Sequence, residues 1–245
     1  MRLFLKPEKK AKKEGVGSVI KEGIPWVFYR VKMRLFPDIY FRSPIVKMQS
    51  DSSLSYQLRR KEGVEERWEL LNPYLETNTS ILDIGCNAGL LTAKAARSGH
   101  LAIGIEANEA TVADAVEYHG HFRDFGIMNK RINPKNVDGF PTFDYVFLFS
   151  VYHQLYNHYG REKSEELLRR ISQKASDKLF FEAPAQKSKY GDLELPFEDF
   201  DEQSIKEYHL EMLDSVIENN GVEYLGSSSR KGGAKGERYL FMIQK

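Results

Sequence analysis

A glycine-containing turn is the part of the sequence best suited to holding a ligand. The residues Ile-Leu-Asp-Ile-Gly-Cys-Asn-Ala-Gly at 81–89 join a buried-strand pattern to the start of a helix. Gly85 and Gly89 let the backbone turn sharply and leave room for a ligand beside it. Ligands bind at the strand-end edge of open α/β sheets, next to helix N-termini, so we expect a binding site here.

The residues around the turn restrict the kind of ligand. A dinucleotide fingerprint that begins at Gly85 would need glycine where the chain has Asn87 and Leu90. No Gly-Lys-Ser/Thr follows the strand, which argues against a P-loop. Glu106 ends the next predicted strand, where an acid can accept hydrogen bonds from both hydroxyls of a ribose. The pattern therefore favours a ligand without phosphates and disfavours a nicotinamide oxidoreductase.

The strand, the turn and the acid together resemble the first motif of class I S-adenosylmethionine-dependent methyltransferases, in a pattern that covers roughly residues 76–245. Asn87 replaces the usual middle glycine, and asparagine tolerates left-handed backbone better than most residues. The resemblance implies S-adenosylmethionine as the cofactor, with Glu106 at the ribose, Asn133 near the adenine and Ser150 beside the donor methyl. It also implies that Asp83, Gly85, Asn87 and Gly89 surround the methionine part, and Cys86 is the remaining cofactor-binding residue.

A second, shorter resemblance concerns the acceptor. Ser-Val-Tyr-His-Gln-Leu at 150–155, with Phe-Glu-Ala-Pro at 181–184, resembles methyltransferases that act on bacterial surface polysaccharides, including the domain that caps O-antigen chains. A similar arrangement occurs in some RNA-modifying methyltransferases. The resemblance implies O-methylation of a glycan, a glycolipid or a small molecule, and it leaves an RNA acceptor open. A cofactor-binding scaffold without catalysis is the alternative from a different class.

Two residues are candidates for moving a proton. The sulfonium methyl is already activated, so such an enzyme mainly aligns donor and acceptor and excludes water. A hydroxyl acceptor usually needs a base, and His153 follows the fourth predicted strand, beside the expected methyl position. Glu182, at the end of the fifth strand, is the second candidate. A phosphate or carboxylate acceptor would need no base, and His153 would then bind the substrate. A histidine at a helix start can also simply cap or pack.

The elements that would position these residues alternate between strands and helices. This order predicts an α/β fold with a Rossmann-like doubly wound sheet, mostly parallel, closed by an antiparallel strand pair. We predict strands over 81–86, 101–107, 127–132, 143–151 and 178–183, with the closing pair at 222–227 and 238–243. We predict helices over most of 53–75 and over 89–98, 109–125 and 161–173, with a further helix around 205–217. The connection 186–202 is interpreted either as a lid over the site or as a surface insertion.

Cysteine and histidine usage bears on metals and disulfides. Cys86 is the single cysteine, which excludes an internal disulfide and a cysteine-based metal cluster. A metal site built from His119, His121 and His158 is conceivable, but no clear set of carboxylates accompanies them. We therefore predict that the helix carrying the first two faces solvent and that the protein has no metal site.

The charge distribution separates an N-terminal arm from the rest of the chain. Residues 1–47 carry 12 Lys/Arg against 4 Asp/Glu, while the remainder carries 24 against 31. We predict a basic, partly mobile extension over 1–52 and a methyltransferase domain over 53–245. The arm either contacts an anionic membrane surface or nucleic acid, or is a solvated tail. Without a signal-peptide pattern or a long apolar run, we expect a cytoplasmic protein, free or peripheral at the inner membrane face.

Overall fold

The computed structural model describes residues 61–184, 201–228 and 238–245. The basic extension predicted for residues 1–52, its boundary with the following domain and nearly all of the connection 186–202 lie outside the described residues.

A single sheet of seven strands forms the centre of the described structure, in the order β3-β2-β1-β4-β5-β7-β6. The first five strands are parallel, β7 pairs antiparallel with β5, and β6 pairs antiparallel with β7. The predicted mostly parallel sheet with an antiparallel closing pair is confirmed. The strands are β1 Ser80–Ile84, β2 Leu101–Glu106, β3 Phe125–Asn129, β4 Phe143–Phe149, β5 Ala175–Pro184, β6 Gly221–Ser228 and β7 Arg238–Gln244.

Helices flank this sheet and connect its strands. They are α1 Lys61–Leu71, α2 Leu90–Arg97, α3 Glu109–His119, α4 Tyr152–Tyr159, α5 Arg161–Ser172 and α6 Glu202–Val216. Short 3-10 turns follow α1 at Asn72–Tyr74 and precede β4 at Val137–Gly139. In the described ranges, none of the helices combines the length and the apolar character that crossing a bilayer requires.

The sheet brings the predicted site residues to one edge. Ile84 pairs with Ile105 on one side and with Leu148 on the other, so β1, β2 and β4 end side by side. Glu182 lies opposite Phe149, the last residue of β4, so β5 reaches the same edge. The chain reverses its strand order between β1 and β4, and the crevice at such a reversal is where open α/β sheets bind ligands.

Several element boundaries differ from the predictions. The third strand runs over Phe125–Asn129, because Phe125 pairs with Ala102 and α3 has already ended before Gly120. The fourth strand ends at Phe149, because Ser150 adopts a left-handed φ of 57° that breaks the extended backbone. Helix α4 then forms at once, where we had predicted no separate helix.

The prediction that the helix carrying His119 faces solvent is wrong for His119 itself. Its ring is buried, stacks on Phe122 at 6.2 Å between ring centroids and meets Phe125 edge-on at 5.6 Å. Burial lowers the pKa of His119 to about 3, and it lowers the pKa of the fully enclosed His209 to about 4. No three His, Cys, Asp or Glu side chains of the described ranges form a group that could hold a metal ion.

These buried histidines should make the fold sensitive to acid. Below pH 6.5 both histidines are protonated in the unfolded chain but stay neutral in the folded chain. The free energy of unfolding is therefore highest at neutral pH and decreases as the pH is lowered. Each contributes a loss of about 1.4 kcal/mol per pH unit until its folded pKa is reached. Asp83 has the opposite effect, because its pKa in the folded chain is raised to about 6. As the pH falls below 6, the folded chain binds a proton at Asp83 before the unfolded chain does, which offsets the loss of stability caused by one of the two histidines.

The variant His209→Asn isolates this effect, because an asparagine amide can still donate to the Ile205 carbonyl that lies 2.8 Å from His209 Nδ1. Between pH 6 and pH 5, urea unfolding should show the wild type losing about 1.4 kcal/mol more than the variant. His158→Asn, at an exposed position, should follow the wild type. Parallel pH dependence of the wild type and His209→Asn would contradict the expectation.

Candidate functional site

The turn after β1 is held in left-handed backbone at three positions. Gly85, Asn87 and Gly89 have φ values of 72°, 53° and 70°. Asn87 stabilises its own unusual conformation, since its Oδ1 accepts a hydrogen bond from the Ala88 amide at 2.8 Å. The Gly85 amide donates to the Ile105 carbonyl at 2.8 Å, which fixes the turn against β2. Asparagine in the middle position therefore performs the role expected of glycine there.

Close packing surrounds the turn on the protein side. A Cβ on Gly85 would lie 2.3 Å from Val151 Cγ2, so this position has no room for a side chain. A Cβ on Gly104 would lie 2.5 Å from the Cys86 sulfur, which is buried beneath the turn. Burial raises the pKa of the Cys86 thiol well above its usual range, so the thiol stays protonated and unreactive.

Asp83 lies at the base of the turn as a buried carboxyl group. Thr92 Oγ1 donates to its Oδ2 at 2.6 Å. Burial raises the pKa of Asp83 to about 6, although the Thr92 hydrogen bond and the nearby Arg67 guanidinium oppose the shift. At neutral pH this side chain is a buried negative charge that a cationic ligand group would stabilise.

Glu106 faces the turn from the end of β2. Its Oε2 accepts from the Asn87 amide at 3.1 Å and its Oε1 from the Asn108 amide at 2.8 Å. Each carboxylate oxygen has a second lone pair, so both can still accept a hydrogen bond from a ligand hydroxyl. The predicted ribose-binding acid and the predicted turn are thus joined into one wall.

This wall borders a cleft of about 420 Å³, a volume in the range of small-molecule sites. The cleft brings together most of the residues that the sequence predicted for the site, namely Asp83, Gly85, Cys86, Asn87, Glu106, Ser150 and His153. Ile105 and Ile132 add an apolar surface near Glu106. Helix α4 contributes a polar and aromatic wall made of Gln154, His158 and Tyr159.

Three predicted site residues do not line the cleft. Gly89 is buried at the start of α2, where a Cβ would meet the Phe125 ring at 3.2 Å, so its role is in packing the turn. The Asn133 side chain stays in its local turn, accepting from the Lys135 amide at 2.8 Å. Its neighbour Ile132 lines the cleft in its place. Glu182, the third, lies just behind the surface.

The side chains at the end of β4 and β5 form a buried polar cluster around Glu182. The Ser150 hydroxyl donates to Glu182 Oε1, and Arg67 Nε donates to Glu182 Oε2. Arg238 Nε lies 3.9 Å from the same Oε1. Glu182 is 1% exposed, whereas Ser150, Arg67 and Arg238 all line the cleft.

This arrangement distinguishes the two candidate bases. Both carboxylate oxygens of Glu182 already have partners, since the Ser150 hydroxyl and the Arg67 guanidinium donate to them and the Arg238 guanidinium lies close by. Glu182 also does not line the cleft. His153 lies in the first turn of α4, is largely buried and lines the cleft. Of these two residues, His153 is therefore the one that a molecule in the cleft could contact.

Sequence reasoning missed Arg67 and Arg238. Arg67 belongs to α1, before the first strand, and Arg238 begins β7, so both are far from the motif in sequence. Antiparallel pairing of β7 with β5 sets Arg238 opposite Pro184, two residues beyond Glu182. Arg238 could have been predicted only from this pairing register, which no local motif encodes.

Comparison with known proteins agrees with the architecture. No protein-family model and no curated protein sequence matches the chain. The bifunctional kinase-methyltransferase WbdD matches in structure at 17% identity with a TM-score of 0.53, over 76% of this chain and 39% of that one. Magnesium protoporphyrin IX methyltransferase (ChlM) from Synechocystis PCC 6803 with bound SAH matches at 18% identity with a TM-score of 0.53, over 78% of this chain and 87% of that one.

The same ChlM protein with bound SAM matches at 15% identity with a TM-score of 0.52, covering 89% of this chain and 96% of that one. At such identities the likeness shows a shared fold, and this chain spans less than half of WbdD. The predicted resemblance to class I methyltransferases is confirmed as a resemblance of fold. S-adenosylmethionine is a cofactor that this fold binds.

Proposed function

We propose that this protein is an S-adenosylmethionine-dependent methyltransferase that methylates an oxygen of its acceptor. One observation carries the proposal: Glu106 is hydrogen-bonded to the left-handed turn, and both line the cleft that also contains His153. One cavity thus contains an acid suited to ribose hydroxyls, a turn whose backbone a ligand can approach closely, and a candidate base. A fold likeness alone would not support function in this way.

The charges of the cleft fit the cofactor. Asp83 complements its ammonium group, and Arg67 complements its carboxylate. Glu106 accepts from the ribose hydroxyls, while Ile105 and Ile132 supply an apolar surface for the adenine. When bound, the cofactor supplies a methyl group activated by its sulfonium sulfur. The protein's own contribution is then to orient both partners and exclude water.

His153 acts on the acceptor in this proposal. Where the acceptor is a hydroxyl, an imidazole nitrogen of His153 would accept the hydroxyl proton. Where the acceptor is a phosphate or carboxylate oxygen, no proton needs to leave, and His153 binds the anion instead. The wall made of Gln154, His158 and Tyr159 offers hydrogen bonds and a ring face, which suits a glycan, a glycolipid or a polar small molecule.

RNA is the second candidate acceptor, and a separate observation favours it. Lys130 and Arg131 are exposed at the rim of the cleft, where they can reach a phosphate backbone. The basic residues 1–47 would add to such binding, or would hold the protein at an anionic membrane surface in the cytoplasm. Binding to RNA through these groups should weaken steeply as salt is raised.

Methyl-labelled S-adenosylmethionine tests the proposal directly. The full chain is incubated with separate RNA, lipid-glycan and small-molecule fractions of a cell extract, and the label in each is counted. We expect label in the glycan or small-molecule fraction, stable to mild base if the product is an ether. Label in RNA would select the second acceptor. If the protein binds the cofactor but no fraction is labelled, the enzyme hypothesis is refuted and a cofactor-binding scaffold is the remaining interpretation.

A further inference from the structure

Glu182 is a buried carboxylate with several polar contacts and has no part in the proton transfer proposed above. It lies on β5, which pairs with β4 on one side and β7 on the other, and it receives groups from three different elements. Ser150 reaches it from the end of β4, Arg67 from α1 and Arg238 from β7. A single carboxylate therefore joins the end of the sheet to the helix that precedes it.

The contact with Ser150 fixes a residue at the edge of the cleft. Ser150 adopts φ 57°, a conformation that non-glycine residues rarely take unless their surroundings impose it. Because its hydroxyl proton points to Glu182, the oxygen lone pairs are left to accept hydrogen bonds from elsewhere. Ser150 lines the cleft three residues before His153, so its position sets where α4 begins.

The contact with Arg67 fixes a second residue of the cleft. The Arg67 guanidinium donates through Nε to Glu182, and this hydrogen bond fixes the plane of the guanidinium group. Burial raises the pKa of Asp83, and the same guanidinium lies near enough to that carboxyl to oppose part of the rise. Arg67 is thus held between Glu182 and the base of the turn, and it lines the cleft at that end.

We propose that Glu182 is a positioning residue: its carboxylate orients Arg67 toward the cofactor's carboxylate and Ser150 toward the point of methyl transfer. This assignment replaces its predicted role as a second base. It rests on the proposed function, because it names the roles of two residues in that same site. The two oxygens of one carboxylate couple the binding of the cofactor to the geometry of transfer.

The first test is a double-mutant cycle on cofactor affinity, which needs no turnover. Calorimetry with S-adenosylmethionine is compared for the wild type, Glu182→Gln, Arg67→Met and the double variant. Each single change should weaken binding about 10-fold, and the double variant should be no weaker than Arg67→Met. Effects that multiply would show that the two residues act independently and would overturn the proposal. Glu223→Gln, at an exposed site on β6, should bind as the wild type.

The second test separates positioning from proton transfer. Glu182→Gln should lower kcat about 10- to 100-fold yet keep the acid limb of the pH–rate profile, because His153 remains. Loss of that limb in Glu182→Gln would make it the base and overturn the proposal. Ser150→Gly, which keeps the left-handed backbone and removes the hydroxyl, should not add to the effect of Glu182→Gln.

Methyl transfer by the wild type and the link between Glu182 and Arg67 are tested by separate measurements. If the wild type transfers no methyl group, the enzyme proposal fails, while the affinity cycle still decides the link between Glu182 and Arg67. If Glu182→Gln does not fold, the cycle is run with Ser150→Gly and Arg67→Met. Coupling through Glu182 then predicts that each raises the Kd of the cofactor and that their effects do not multiply. Independent effects would overturn the inference.

Discussion

Replacing Gly85 with alanine should weaken the binding of S-adenosylmethionine at least 100-fold. The added Cβ would lie 2.3 Å from Val151 Cγ2, and the backbone would have to keep a φ of 72°. Left-handed backbone costs about 1–2 kcal/mol for an alanine, and overpacking against a stiff β-branched side chain costs about 1–3 kcal/mol. If the turn moves to relieve this strain, the surface on which the cofactor rests is lost. A loss of about 3 kcal/mol corresponds to roughly 100-fold in Kd.

Gly139→Ala is a matched control, because a Cβ there would meet nothing within 4 Å and its backbone is not left-handed. It should bind the cofactor as the wild type does, and calorimetry measures both variants. Thermal unfolding followed by circular dichroism shows whether Gly85→Ala has retained its fold. A folded Gly85→Ala variant with a Kd within threefold of the wild type would show that the turn does not contact the cofactor.

Replacing His153 with glutamine should lower kcat by about 10²- to 10⁴-fold if the acceptor is a hydroxyl. That range is the usual contribution of a positioned general base. The affinity for S-adenosylmethionine should stay within about twofold, since the turn and Glu106 are untouched. The acid limb of the pH–rate profile should disappear with the imidazole. If the acceptor is an oxyanion, the same variant should instead raise KM with little change in kcat.

His121→Gln is the appropriate control for this variant, because His121 is exposed and does not line the cleft. It should retain kcat and the acid limb. Steady-state kinetics with the labelled acceptor distinguishes the outcomes. If kcat and KM of His153→Gln both match those of the wild type, His153 is a packed residue at the helix start and takes no part in the reaction.

The features that could be predicted from sequence are those encoded locally. The glycines, Asn87 and the flanking apolar run specify the strand, the left-handed turn and the helix within nine residues, and all three are present. Glu106 could be anticipated because parallel neighbours end at the same edge of a sheet. The second strand of the closing pair could also be predicted, because β7 contains a continuous apolar run that is typical of a buried strand.

The features that could not be predicted depend on contacts between distant segments. The contacts of Glu182 come from Arg67, 115 residues before it, and from Arg238, on the neighbouring antiparallel strand β7. The burial of His119 follows from how α3 ends against Phe122 and Phe125, and the sequence offers no periodic signal for it. Asn133 was assigned from a strand that ends three residues earlier than the prediction, at Asn129.

Titration of S-adenosylmethionine into the full chain, in parallel with the Glu106→Ala variant and with NAD, tests the central claim most directly. We expect one saturable site for S-adenosylmethionine and no detectable heat with NAD. Glu106→Ala should weaken binding about 10- to 100-fold, because hydrogen bonds to a charged group contribute about 1.5–3 kcal/mol. Glu211→Ala, at an exposed position on α6, should bind as the wild type. Failure to bind S-adenosylmethionine, or binding that Glu106→Ala leaves unchanged, would contradict the account.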